Sequence, residues 1–406
     1  MAITSIILSM ALVAVGNGLL FAYIPVRLGA EGFAPTWAGS ILTGLSAGGL
    51  LGCLLTAPLV RRVGHARSYL LFSGLIVLAN ALVAVTVDGP TWILSRALYG
   101  FAITGLFIVA QSWLNDVVGN AIRGRVMAIF YVAYVVGLGC GAFLLRFADI
   151  QTPQAPIFGI IFAALSILPV GLTNLAQPPA PEGGSVAWTK AWRISPVGIA
   201  GMLAVGGLSM MIAGFAPIHA TAKGYSQAEV ATLMSAMPLG TLIFQIPLGW
   251  ISDRTDRRYV MIGAATLVAI MGVLAIRFDG AALLAIIAIY VVWGGASDSL
   301  YSLSSAHGSD RARKDELVTL SSTMLFAWSV AGFLAPGLGT VLTALYGTQS
   351  FIYVAIAIAV MFSAFVFWRV LKASPVPADE TGSFAPMTAQ APLPVDLAFP
   401  GEEERK

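Results

Sequence analysis

Twelve stretches of about twenty apolar residues, separated by short polar turns, constrain what this chain can fold into more than any other feature. A helix needs roughly 20 such residues to cross about 30 Å of hydrocarbon, and backbone groups there must be satisfied within the helix. That length predicts spans near residues 5–26, 36–59, 68–87, 91–114, 124–147 and 155–175. A second set follows near 195–219, 227–251, 259–277, 281–305, 317–344 and 348–370. Composition agrees: 58% of the 406 residues are hydrophobic and 10% are charged, with a mean hydropathy of +0.87. Ordinary water-soluble domains carry roughly 25% charged residues, so lipid is the implied solvent. The opening Met1 to Ser5 is uncharged and the run after it reaches Val26 without a small-residue cleavage site, which predicts a retained first helix.

Between the two sets, Pro178, Pro179, Pro181, Gly183 and Gly184 mark residues 177–194 as a linker joining a bundle over 1–176 to one over 195–372. Residues 373–406, rich in proline and ending in Glu402-Glu403-Glu404-Arg405-Lys406, read as a disordered tail. The halves repeat each other. Pro25 matches Pro217, Gly32 matches Gly224 and Arg62 matches Arg254, each at an offset of 192, and Gly137 matches Gly332 at 195. The expected fold is an all-α membrane protein of about twelve transmembrane helices in two pseudo-symmetric six-helix bundles, with a solute site at their interface near the midplane.

Basic residues set the orientation, because Lys and Arg accumulate in short cytoplasmic loops. With the amino terminus inside, the cytoplasmic segments hold fifteen of them, among them Arg61, Arg62, Arg67, Arg254, Arg257, Arg258, Arg311 and Arg313. The opposite side holds Arg27, Arg146, Lys223 and Arg277, which predicts both termini in the cytoplasm of a bacterium. A net charge of +3 without a basic cluster argues against nucleic acid as a partner. Cys53 and Cys140 sit inside apolar stretches and read as packing residues, while His65, His219 and His307 fall at span ends, where no histidine relay can cross the bilayer.

The loop Gly249-Trp250-Ile251-Ser252-Asp253-Arg254-Thr255-Asp256-Arg257-Arg258 resembles the signature loop of the major facilitator superfamily, departing from it at Asp256, where a Gly is usual. Its counterpart in the first half keeps Arg62 and Gly64 but has Arg61 in place of the usual Asp. Arg96 followed by Gly100 is similar to the family's second motif. Gly16-Asn17-Gly18-Leu19-Leu20 and Gln111-Ser112-Trp113-Leu114-Asn115 look closest to the YcaD-like branch, which usually has Glu at the position of Gln111. The resemblance runs from the first span to the twelfth and implies a transporter of a small molecule, with no cofactor and no metal, working as a monomer. It also implies that Arg62, Gly64, Gly249, Asp253, Arg254, Arg257 and Arg258 form a cytoplasmic latch whose charge pairs break between states. Solvated loop charges are the alternative.

Charges inside lipid are costly and usually functional. Asp298 stands well inside a span, with Tyr301 and Ser302 on its helical face, and is the candidate proton or cation site; an acid pairing with a loop arginine is the bland alternative. Arg96 is a candidate to hold an anionic solute or to pack between helices. Thr104, Gln111 and Asn115 recur at seven and four residues and so share a face able to bond a solute. Asn17, Tyr23, Gln245 and Trp328 are candidate contacts from other helices, each equally able to serve interhelix packing.

Proton-coupled export is one expectation. Uptake of a sugar or organic anion is its rival, and a membrane sensor without transport is a third reading. No HExxH, phosphate-binding loop or paired intramembrane carboxylates point to an enzyme.

Overall fold

The structure, a computed structural model, describes residues 2–118, 120–173, 186–313, 316–374, 382 and 384, and for residues 2, 115, 116, 120, 121 and 123 the backbone alone. The first half comprises α1 (Ala2–Ala30), α2 (Pro35–Val63), α3 (His65–Val85), α4 (Gly89–Val117), α5 (Asn120–Leu144) and α6 (Gln154–Gly171). A short α7 (Trp188–Ile194) leads into the second half. There α8 (Pro196–Ser209), a π-helical turn (Met210–Gly214) and α9 (Phe215–Ala222) make one continuous span. The rest are α10 (Gln227–Ser252), α11 (Arg257–Arg277), α12 (Leu283–Ser309), α13 (Leu317–Tyr346) and α14 (Ser350–Lys372). Among the described residues, twelve helices are long and apolar enough to cross a membrane, and there is no strand.

The helices outrun the apolar windows where polar residues extend them into the interface. Arg61 and Arg62 form the last turn of α2, and Asp88 caps α4 by accepting from the Thr91 backbone N–H (3.0 Å) and hydroxyl (2.7 Å). The last residues of the expected linker carry a helix. Residues 188–194 are helical, because Trp188 and Trp192, one turn apart, rest on Phe326 and Phe365 of the second bundle, with ring centroids 6.1 and 5.9 Å apart. Residues 177–185 and most of 373–406 lie outside the described residues.

The internal repeat has a backbone counterpart. Gly32 and Gly224 take φ of +76° and +83° and close α1 and α9 with the same pair of bonds. Phe33 donates to Leu28 O (2.9 Å) and Gly32 to Gly29 O (3.1 Å), while Tyr225 donates to Ala220 O (3.0 Å) and Gly224 to Thr221 O (3.0 Å). A left-handed residue is needed at such a helix end, and only glycine adopts it without a Cβ clash. A second pair sits at the same offset (240 − 48 = 192). Gly48 lets α2 lie on α4, where a Cβ would come within 1.8 Å of Ala97 O, and Gly240 lets α10 lie on α12, where a Cβ would come within 1.9 Å of Val291 O. Backbones that meet this closely are how helices associate in lipid, where no hydrophobic force drives them together.

The halves join unevenly. One apolar core runs through the second half and takes in residues of the first half at the ends of α1, α2 and α5 remote from α7, including Leu28, Ala38, Leu42 and Ala142. A separate core, with Met10, Tyr69, Phe107 and Trp113, belongs to the first half alone. At the joined end the Gln227 side-chain amide donates to Leu145 O (2.5 Å) and Ala148 O (2.6 Å), and Gly29 abuts the Thr221 methyl. The halves are therefore fused at the end away from α7 and keep separate apolar cores toward the end that carries it. Gly48→Leu and Gly240→Leu should each abolish the monodisperse peak in detergent size-exclusion chromatography, since the opposing atom is backbone and cannot yield; unchanged yield and profile would contradict this packing.

Candidate transport site

Between the halves lies a chamber of about 270 Å³. Asn17 and Phe21 of α1, Phe107 of α4 and Tyr131 and Tyr134 of α5 wall it on one side. Ser209 with the π-helical turn, Met234, Met237 and Thr241 of α10, Ser297 and Asp298 of α12, and Trp328 of α13 wall the other. The turn matters here, because its extra residue breaks the 100° step of the helix and brings Met210, Ile212 and Ala213 together onto the chamber wall.

Asp298 is the chamber's only carboxylate among the described residues. One of its oxygens accepts from the Ser209 hydroxyl at 3.0 Å and the other from the Thr241 hydroxyl at 2.9 Å. Three helices of the second half thus fix one acid, and Tyr131 of the first half lies near it. Tyr131 Oη, Ser297 Oγ and Trp328 Nε1 are buried with no partner among the described residues, while Tyr134 bonds Asn17. Unpaired polar atoms at this depth are expensive, so a chamber lined with them favours an occupant that bonds. Met210, Met234 and Met237 add a soft apolar surface that adapts to differing shapes.

A second chamber of about 130 Å³ adjoins the first and shares Asn17, Phe21, Tyr134, Met210 and Trp328 with it. It adds Ser46, Tyr99 and Thr104. Arg96, 1% exposed, borders a third void of about 30 Å³ and stacks on the Tyr99 ring at 3.9 Å from its centroid.

Of the residues singled out in the sequence, Asn17, Asp298, Trp328 and Thr104 therefore line the paired chambers, and Arg96 stands beside them. Four others, expected on the pathway, line neither chamber. Tyr23 packs on Trp92, with centroids 6.2 Å apart, and lines neither chamber. Gln111 is buried two turns below Thr104, beside the apolar core of the first half. Gln245 donates to the Ser302 hydroxyl, which ties α10 to α12 away from the chambers. Tyr301 lies behind Trp328, edge-on at 6.4 Å. The Asn115 side chain lies outside the described residues. Ser209, Thr241 and Tyr131 escaped the sequence reading. A buried acid demands donors, but which hydroxyls supply them depends on where the helices cross.

The latch residues divide by half. Arg62 is exposed at the end of α2, and Gly64, at φ +84°, turns the chain from α2 into α3. In the second half Arg257 bridges Asp253 (3.0 Å) and Asp310 (2.7 Å), and Arg258 clasps Asp256 (2.7 Å) and donates to Ala373 O (2.7 Å). Arg254 stacks on Trp250 at 4.0 Å. The Phe384 N–H donates to Asp253 at 2.9 Å, and its ring covers Gly249. These described pairs join groups of the second half to one another or to Ala373 and Phe384 of the tail, and none of them reaches the first half.

A bundle of twelve membrane-spanning helices around a central chamber defines the class of solute carriers. The sequence pattern of the Major Facilitator Superfamily matches residues 6–197 and again 197–398, one copy for each half, and the chain belongs to that family. Relatives include an uncharacterised MFS-type transporter of Yersinia pestis (strain Pestoides F), 26% identical over 344 residues, covering 84% of this chain and 87% of that one. The uncharacterised MFS-type transporter YcaD of Escherichia coli O45:K1 (strain S88 / ExPEC) is 24% identical over 317 residues, covering 77% and 81%. Among solved structures, the nucleoside transporter NupG superposes with a TM-score of 0.71 at 12% identity, covering 92% of this chain and all of that one. An auto inhibited POT family peptide transporter gives 0.66 at 14%, covering 92% and 98%. At such identities the likeness concerns the fold.

The loop clasp has a pH signature. Burial pushes the Asp256 carboxyl upward, but its bonds to Arg258 outweigh this and hold it below the ordinary carboxylate value. A carboxyl held low stabilises the fold above the ordinary range and loses that contribution as pH falls through its lowered value. Asp256→Ala should lower the melting temperature by a few degrees through the lost cap and clasp. The difference from the unmodified protein should stay constant from about pH 8 to about pH 5 and shrink only below about pH 4. A difference that vanishes near neutrality would refute the clasp.

Proposed function

We propose that this chain is a secondary active transporter of a bacterial cytoplasmic membrane that exports a small solute in exchange for protons by alternating access. The bundles over 1–176 and 195–372, joined by the linker 177–194, rock about the chamber, and both termini with the tail 373–406 face the cytoplasm. It acts as a monomer, without cofactor, and does no chemistry on its cargo.

The observation that carries the reading is a chamber of about 270 Å³ between two halves that are fused at one end, with one carboxylate in its wall. The excess of Lys and Arg on the α7 side supports that side as cytoplasmic, which makes the fused end the outer one and this state inward-facing. Asp298 has two hydroxyl donors and, among the described residues, no cationic partner, so a proton or a cationic group is what neutralises it. Occupancy of one carboxylate by either, never both, yields exchange. The buried Arg96 favours a second reading, uptake of an organic anion.

In proteoliposomes containing a pH dye, a transported solute should drive proton movement. Asp298→Asn should reduce that movement at least about tenfold. Flux unchanged after collapse of the proton gradient would rule out coupling, and no saturable flux among cations, sugars and organic acids would rule out a carrier.

A further inference from the structure

The carrier reading treats Asp298 as a lone charge, yet a second buried charge of opposite sign, Arg96, borders a neighbouring void. Arg96 is 1% exposed, and its two terminal nitrogens have no acceptor among the described residues. Its neighbour is a ring face, that of Tyr99 at 3.9 Å, and no described carboxylate pairs with it. A guanidinium carries five donors in a fixed fork that fits a carboxylate or phosphate, and a ring face accepts none of them in that geometry.

The two charges border neighbouring hollows. Asp298 lines the large chamber, which shares five wall residues with the second. The Tyr99 ring under Arg96 lines the second, and the void beside Arg96 shares Phe21 and Leu45 with it. That void has room for a water or two in this state. Its other walls include Ile24 and Leu42 of the first half and Gly214 and Ile218 of the second. Arg96 therefore lies under the seam that must part when the fused end opens.

We propose that the cargo is zwitterionic: its ammonium sits against Asp298 in the large chamber, and its single anionic group reaches Arg96 as the seam between α1–α2 and α9 parts. This rests on the carrier reading and names its substrate class. A monocation would leave the buried Arg96 uncompensated, and a monoanion would leave Asp298 so. A zwitterion compensates both and adds no net charge to the loaded carrier. The ammonium also competes with the proton at Asp298, which the exchange mechanism requires.

Three compounds built on one para-substituted benzene ring separate the charges: 3-(4-aminomethylphenyl)propanoate, with an ammonium at one end and a carboxylate at the other, and the mono-ions 4-propylbenzylamine and 3-(4-methylphenyl)propanoate. With the full chain in nanodiscs, titration calorimetry should show the zwitterion binding at least about tenfold tighter than either mono-ion, the increment of one charge-assisted contact. Arg96→Gln should level the zwitterion with the amine, and Asp298→Asn should level it with the acid. Arg96→Lys, which keeps the charge, should retain part of the advantage, and a monodisperse chromatographic profile for each variant excludes misfolding. Equal affinities across the three, including none for any of them, overturn the proposal, as does an Arg96→Gln protein that still prefers the zwitterion to the amine. Saturable flux of whichever compound binds tests the carrier reading separately: a mono-ion that binds best and is transported sinks the zwitterion and spares the carrier.

Discussion

Hydrocarbon offers no hydrogen bonds, and the rest of this structure depends on that. The backbone must satisfy itself within each span, so the chain becomes a set of helices, and helices gain little by hiding apolar side chains from lipid that is equally apolar. Close backbone approach takes the place of the hydrophobic drive, as at Gly48 on Ala97 and Gly240 on Val291. The same constraint makes every polar atom at depth conspicuous. Most are tied off locally, like the Thr56 hydroxyl donating to Gly52 O at 2.6 Å. Among those that are not, Tyr131 Oη, Ser297 Oγ and Trp328 Nε1 lie in the wall of the chamber between the halves.

The uneven join of the halves bears on the proposed cycle. An apolar core shared at one end and separate cores toward the other make one closure, and the proposed alternation requires a second in which the repeated halves meet at the opposite end. Asp298 is held within the second half by Ser209 and Thr241, so its carboxylate travels with that half as a rigid unit. Arg96 belongs to the first half and lies under the fused seam. Relative motion of the halves would thus alter the exposure of the two charges separately.

The span count, the approximate span limits and the repeat were legible in the sequence, because run length and a constant offset survive without knowledge of the packing. Asp298, Asn17, Thr104 and Trp328 were legible as polar or aromatic residues inside apolar runs. What helical spacing could not supply was depth along a face. Gln111 shares a face with Thr104 yet lies beside the apolar core of the first half, and Tyr301 follows Asp298 by three residues yet is shielded by Trp328. Ser209 was hidden for a different reason. The π-helical turn at Met210–Gly214 shifts the register, so the residues that share a wall there do not share a helical wheel.

The central claim is that the two halves close in alternation around one polar hollow. Gly29 and Thr221 face each other across the fused end, where a Cβ on Gly29 would lie 2.4 Å from the Thr221 methyl. A Gly29→Cys/Thr221→Cys pair, with Cys53 and Cys140 replaced by Ser, should oxidise to a disulfide, stop solute flux in proteoliposomes and recover it on reduction. Flux undiminished with the bond in place would contradict the account.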